Sequence, residues 1–324
     1  MAEISAQLVK QLRERTGAGM MDCKKALVET NGDIDAAEIV LRKKGIASAH
    51  NKESRSAKQG LISASISASG KLGVMVEVNC ESDFVARTGD FQTLAADVAA
   101  HIAETKPKYV RLEDVTEAER ANIKAHETLY EQKFAKEGST VGEMVKTKIA
   151  KLGENIVVSR FTIYEVNGHG IAGHYIHAGS QIGVLLEVNT AKIDASGKEE
   201  FKTLVRDLAM QIAAAHPRVV SREQLPAALV EKELDIQRER VRAEGKPEKM
   251  LDKIAEGRMS KFYEEVCLLE QPFIRENSIS VTDLMKAAGS KIGDTISVAR
   301  FVRYKVGDAG DTPGVEQSPL PVTA

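Results

Sequence analysis

The chain repeats itself, and that self-similarity constrains its fold more than any local pattern does. Gly73-Val74 … Glu77-Val78-Asn79 returns 110 residues later as Gly183-Val184 … Glu187-Val188-Asn189. The same offset pairs Gly60 with Gly170, Phe91 with Phe201, Thr93-Leu94 with Thr203-Leu204 and Pro107 with Pro217. The match runs without a gap from Gly60 to Val110, with roughly a third of positions identical. A later block, Lys151-Leu152-Gly153 … Ile156 … Val158 … Arg160-Phe161 … Tyr164 … Val166, recurs 140 residues on, from Lys291 to Val306. The second copy therefore carries 30 more residues than the first between its helix and its last strand. A duplicated unit with an insertion in one copy is the natural account.

Each copy opens with two strands, read in the first as Leu61–Ser67 and Val74–Asn79. A helix follows in which Phe91, Leu94, Ala95, Val98 and Ile102 share one face, with Asp90 able to cap it. Polar sequence from Val115 to Glu137 reads as helical. Val141, Met144, Val145 and Ile149 mark a further amphipathic helix, and Ile156, Val158 and Phe161 a closing strand. The order β-β-α-α-β predicts an α+β core with small, mainly antiparallel sheets.

The insertion, at about 222–266, reads as an antiparallel coiled-coil hairpin. Val230, Leu234 and Val241 make one narrow apolar seam, and Leu251, Ala255, Met259, Phe262 and Val266 the other. Gly245-Lys246-Pro247 turns the chain between them. Ahead of the core, residues 4–44 read as three short helices in a small, ubiquitin-associated-like bundle. Thr16-Gly17 stops the first helix, Asn31-Gly32 the second and Gly45 the third, which Asp33 caps. The expected divisions are 1–55 for bundle and linker, 56–167 and 168–308 for the two core repeats, and 309–324 for a disordered, Pro- and Gly-rich tail.

Composition narrows the function classes. Over 324 residues the formal charge is only −2, so a broad phosphate-binding surface is not indicated. Three widely spaced cysteines form neither a disulfide framework nor a zinc motif. No targeting segment or long apolar run is present, which points to a soluble protein of a reducing compartment. Gly168-His169-Gly170-Ile171-Ala172-Gly173 satisfies Gly-x-Gly-x-x-Gly, but strand sequence follows it where a dinucleotide site needs a helix. His174 and His177, three apart on a strand, face opposite sides and do not converge on a metal. No catalytic constellation or cofactor motif is evident, so the chain is expected not to be an enzyme and to need no cofactor.

Two stretches stand out as candidates for binding. Between matched strand and helix the first copy reads Cys80-Glu81-Ser82-Asp83-Phe84-Val85, the second Thr190-Ala191-Lys192-Ile193-Asp194-Ala195. The fold thus does not require Asp83-Phe84. Burying a Phe contributes about 1.5–3 kcal/mol, so Phe84 either folds back on the core or is held out for a partner. The other stretch is Thr16-Gly17-Ala18-Gly19-Met20-Met21, where two flexible thioether side chains serve either as core filler or as adaptable contacts.

Over nearly its whole length the chain resembles the bacterial translation elongation factor Ts family. Thr16-Gly17-Ala18-Gly19-Met20-Met21-Asp22-Cys23-Lys24-Lys25-Ala26-Leu27 is similar to the family's N-terminal signature, and Asn79-Cys80-Glu81-Ser82-Asp83-Phe84-Val85-Ala86 to its central one. Ser82 stands where the family usually has Thr. The chain also ends in Pro-rich sequence where some members carry a helical module. The resemblance implies a cytoplasmic guanine-nucleotide exchange factor for elongation factor Tu. It implies that Met20 and Met21 dock the bundle on the GTPase domain, that Ser82, Asp83, Phe84 and Val85 bind the partner, and that Asp83 and Phe84 reach toward its Mg²⁺ and phosphate site and disturb it. His177, in Tyr175-Ile176-His177, would contact a distal domain. No membrane or direct nucleic-acid contact is expected, and the hairpin offers a surface for a homodimer or 2:2 complex. The other readings are a protein-binding adaptor with a ubiquitin-associated-like head and an RNA-associated translation factor.

Overall fold

The computed structural model describes residues 4–134, 138–192 and 197–308. Three helices come first, α1 (Ala6–Thr16), α2 (Met20–Glu29) and α3 (Ile34–His50). Gly17 ends α1 in the left-handed region at φ 67°, and the Asp33 carboxylate accepts the amides of Asp35 and Ala36 at the start of α3. Their small core is Val9, Leu12, Cys23, Ala26, Leu27 and Ala37.

The third helix corrects the sequence reading. It runs through Gly45 to His50 instead of stopping at the glycine, so the stretch expected as linker after Gly45 starts as helix. Gly45 is there for proximity: a Cβ on it would lie 2.9 Å from the Ala150 Cβ. The missing side chain lets two helices touch.

The first repeat contains β1 (Gln59–Ile66), β2 (Leu72–Cys80), the one-turn α4 (Asp83–Ala86) and α5 (Gly89–Thr105). The short α6 (Glu117–Arg120), α7 (Val141–Leu152) and β3 (Ile156–Glu165) complete it. Its strands form one sheet in the order β1-β2-β3. Phe91, Leu94, Val98 and Ile102 of α5 pack with Val74, Val76 and Val78 of β2 and with Met144, Val145 and Ile149 of α7 in one core. Two expectations fail locally. Thr88, not Asp90, caps α5, its hydroxyl accepting the Phe91 amide at 3.3 Å. Residues 115–134 form short turns and α6, not a long helix, because apolar residues recur too sparsely there to bury one face.

The second repeat comprises β4 (Gly170–Ile176), β5 (Ile182–Thr190), α8 (Glu199–Ala215), α9 (Ala227–Ala243), α10 (Leu251–Val266), β6 (Pro272–Phe273), β7 (Glu276–Ser280), α11 (Val281–Ile292) and β8 (Ile296–Lys305). Its main sheet is antiparallel, in the order β4-β5-β8, with a bulge between Glu187 and Val188. β4 occupies the Gly-x-Gly-x-x-Gly segment, so no phosphate-binding turn forms there. α9 and α10 form the hairpin. Val241, Leu251, Ala255 and Met259 are buried along it, while Val219, Leu225, Val266 and Cys267 close its base.

By its contacts the described chain divides into two compact units. The first runs from the N-terminal helices to Ile163, except Ile66–Gly73, and includes Gly179–Gln181. The second holds Ile66–Gly73, Tyr164–Ala178 and the chain from Ile182 onward. The tail, 309–324, and the tip Ile193-Asp194 of the second copy lie outside the described residues.

Replacing residues 231–261 by a short polar linker should leave a folded, cooperative core, since the base cluster and both sheets stay intact. Circular dichroism and urea unfolding check this; a molten product would show that the hairpin is integral. A second expectation concerns a buried atom. The Ser159 hydroxyl donates to the Asn79 Oδ1 in the first repeat, whereas Ala299 holds the matching place in the second and leaves the Asn189 Oδ1 unpaired. Ala299→Ser should therefore stabilise the protein by about 1 kcal/mol, read as a higher urea midpoint.

Candidate functional site

The central loop is built around Ser82. Ending β2, the buried Cys80 thiol donates to the Ser82 carbonyl at 3.1 Å. Burial, and then the nearby Glu154 charge, push that thiol up to about 12, so it stays protonated at neutral pH. The Ser82 hydroxyl accepts the Val85 amide at 3.3 Å and caps α4. Val85 packs on the first core, Ala86 is buried, and the Thr88 hydroxyl donates to the Val85 carbonyl at 2.8 Å before capping α5. Asp83 accepts from Arg87 one turn later at 2.8 Å.

Every residue of this turn has an anchor except one. Phe84 is 82% exposed. A core role for it is excluded. The turn holds a large apolar ring in solvent on a backbone fixed at both ends.

Glu154, Glu81 and Asn155 were missed by the sequence reading, and they tie this turn down. The Glu154 carboxylate accepts the Ser82 amide at 2.9 Å and the Ser82 hydroxyl at 2.6 Å. In return Glu81 accepts the Asn155 amide at 2.7 Å, and the Asn155 side chain donates to the carbonyls of Glu53 and Arg55. A signal was present: 140 residues beyond Glu154 stands another acid, Asp294.

On the bundle, Met20 and Met21 open α2 and are 44% and 64% exposed, outside the bundle's core. Val28 and Ile39 are also exposed there, a feature the sequence reading did not single out. The Gly17 turn ahead of them sits against α7, where a Cβ on Gly17 would lie 2.6 Å from the Lys151 Cε. Lys151 in turn donates to Asp90 at 2.9 Å, and that ammonium holds the Asp90 carboxyl below its usual range.

The structure thus gathers Ser82, Asp83, Phe84 and Val85 into one turn and places Met20 and Met21 in the same compact unit. His177 belongs to the other unit. It is exposed just beyond β4, its Nδ1 3.1 Å from the Tyr175 hydroxyl. Among the described residues no cluster of His, Cys, Asp or Glu is arranged to hold a metal ion, and no helix is long and apolar enough to cross a membrane.

Comparison with known proteins shows the family. The family model described as elongation factor TS matches residues 115–308. An elongation factor Ts of Nostoc sp. (strain PCC 7120) is 44% identical over 312 residues, covering 95% of this chain and 94% of the relative. Elongation factors Ts of Solibacter usitatus and Aquifex aeolicus are 43% and 41% identical, covering 98% and 94% of this chain and 99% and 98% of theirs. The chain belongs to the elongation factor Ts family. Its function is accordingly that of a nucleotide exchange factor in translation elongation.

Because Phe84 has no packing to lose, Phe84→Ala should cost less than about 1 kcal/mol, against about 3–5 for a core Phe. Urea midpoints of the two proteins should nearly coincide.

Proposed function

We propose that this protein binds the GDP form of elongation factor Tu in the cytoplasm and expels the nucleotide by disturbing the partner's Mg²⁺ and phosphate site. Asp83 and Phe84 act as the wedge, with Ser82 and Val85 holding it. Met20 and Met21 dock the bundle, and His177 contacts a distal part of the partner. The observation that carries this reading is the exposed Phe84 ring on its capped turn. The roles divide along the chain: docking head 1–55, wedge-bearing repeat 56–167, holding repeat 168–308 and, within it, the hairpin at about 222–266. The hairpin serves a homodimer or 2:2 complex, a role supported by Ile236 and Met250 exposed upon it.

No bond is made or broken by the factor, so it acts as a binding protein and not as an enzyme. It has only to prefer the partner without GDP and Mg²⁺; linkage then weakens nucleotide binding by the same factor. Turning a nanomolar nucleotide site micromolar takes about 4 kcal/mol of coupling. One Phe driven into a packed interface, together with lost Mg²⁺ coordination, is of that size. Neither membrane nor nucleic acid is needed for this.

Release of fluorescent GDP from elongation factor Tu tests the reading. The protein should accelerate release strongly, and Phe84→Ala should slow the rate at saturating factor at least tenfold. Met20→Asp combined with Met21→Asp should instead raise the concentration needed for half-maximal effect while leaving the melting temperature near wild type. No acceleration by the wild-type chain would overturn the assignment. A sharply lowered melting temperature with normal affinity would return the Met pair to a packing role.

A further inference from the structure

We propose that Glu154 is a positioning residue of exchange: its carboxylate, by gripping Ser82 from another loop, sets the direction in which Phe84 points. The inference rests on the exchange reading above. Glu154 follows the left-handed Gly153 that ends α7 and precedes β3, far in sequence from the wedge.

Three observations carry it. First, α4 is a single turn, too short to hold itself, so its geometry is imposed from outside. The imposing group is Ser82, whose hydroxyl proton is committed to Glu154 at 2.6 Å, leaving an oxygen lone pair for the Val85 amide. Turned elsewhere, that hydroxyl would lose one of its two bonds. Second, the grip is reciprocal. Glu154 takes the Ser82 amide while Glu81 takes the Asn155 amide, and Arg55 lies 3.5 Å from Glu81. Two crossed charge-assisted bonds prevent the loop from swinging. Phe84 makes no such contact of its own, so its orientation is inherited.

Third, the second repeat separates scaffold from function. Asp294 there accepts the amides of Ala191 and Lys192 at 3.2 and 2.8 Å, the same backbone grip from the matching position. Lys192 offers no hydroxyl in place of Ser82. The backbone grip therefore belongs to the duplicated fold, whereas the arm to the hydroxyl occurs with the Phe-bearing turn.

A double-mutant cycle decides the matter. Glu154→Gln should slow GDP release from elongation factor Tu at saturating factor at least fivefold, with the half-saturating concentration shifted less than twofold. In a Phe84→Ala background it should add less than about 1.5-fold. The matched change Asp294→Asn should leave the saturated rate unchanged. A Glu154→Gln protein as fast as wild type would overturn the proposal. So would equal slowing in both backgrounds, which is what general structural damage produces. If Glu154→Gln does not fold, Ser82→Ala removes the same hydroxyl arm and enters the same cycle, where a wild-type rate or equal slowing in both backgrounds again overturns the proposal. Failure of the wild-type chain itself to release GDP would instead bring down the exchange reading, and this inference with it.

Discussion

The architecture depends on a strand-to-strand ion pair made twice, each time with the carboxylate buried and the arginine reaching toward solvent. Glu77, on the central strand β2, is almost fully buried. Its carboxylate accepts from Arg160 Nε of β3 at 2.8 Å and from the Asn79 side chain at 3.0 Å. Glu187 repeats the arrangement with Arg300 at 2.8 Å and Asn189 at 3.2 Å. A carboxylate taken out of water on a sheet is tolerated only beside such partners, and removing one typically costs about 3–5 kcal/mol. The pair thus fixes where the third strand attaches to the second. Once β3 is in register, the residues just before it, Glu154 and Asn155, are carried to the loop that leaves β2. The geometry of the Phe84 turn follows from the sheet beneath it.

Much of this was legible in the sequence because the duplication exposes it. Gly73 to Asn79 and its second copy share a pattern that only a strand on a packed sheet explains, and the offset-140 block located both closing strands. The hairpin was readable from its two seams. What could not be read was local competition. Thr88 and Asp90 are both sound caps for α5, and the sequence has no means of showing that Asp90 would instead be drawn to Lys151. Gly45 looks like a helix stop until Ala150, about a hundred residues away, is known to touch it. A lone Phe in a loop is equally consistent with burial and exposure. For Phe84 the hints were the second copy, which lacks the ring, and the family resemblance. Glu154 went unnoticed because a grip between loops leaves no helix or strand periodicity, its one trace being the matching acid Asp294 in the second copy.

The two copies show how one scaffold takes different burdens. Where the first repeat crosses from α5 to α7 by short turns, the second extends α9 and α10 outward. Their seam is not purely apolar: Gln237 is buried along it, donating to Glu233 at 2.7 Å. That bond stays within α9, one turn back, so the buried amide is satisfied by its own helix.

The unbroken passage of α3 through Gly45 has a consequence for kinetics. A head on a flexible leash would leave the wedge to search for its target after docking, with a local concentration set by leash length. Here α3 lies against α7, and the Gly17 turn sits on a lysine that also grips the start of the helix behind the wedge. The head and Phe84 thus belong to one compact unit. On the exchange mechanism proposed above, a head engaged through its methionines would find Phe84 already placed, and the second contact would form with little further loss of chain freedom.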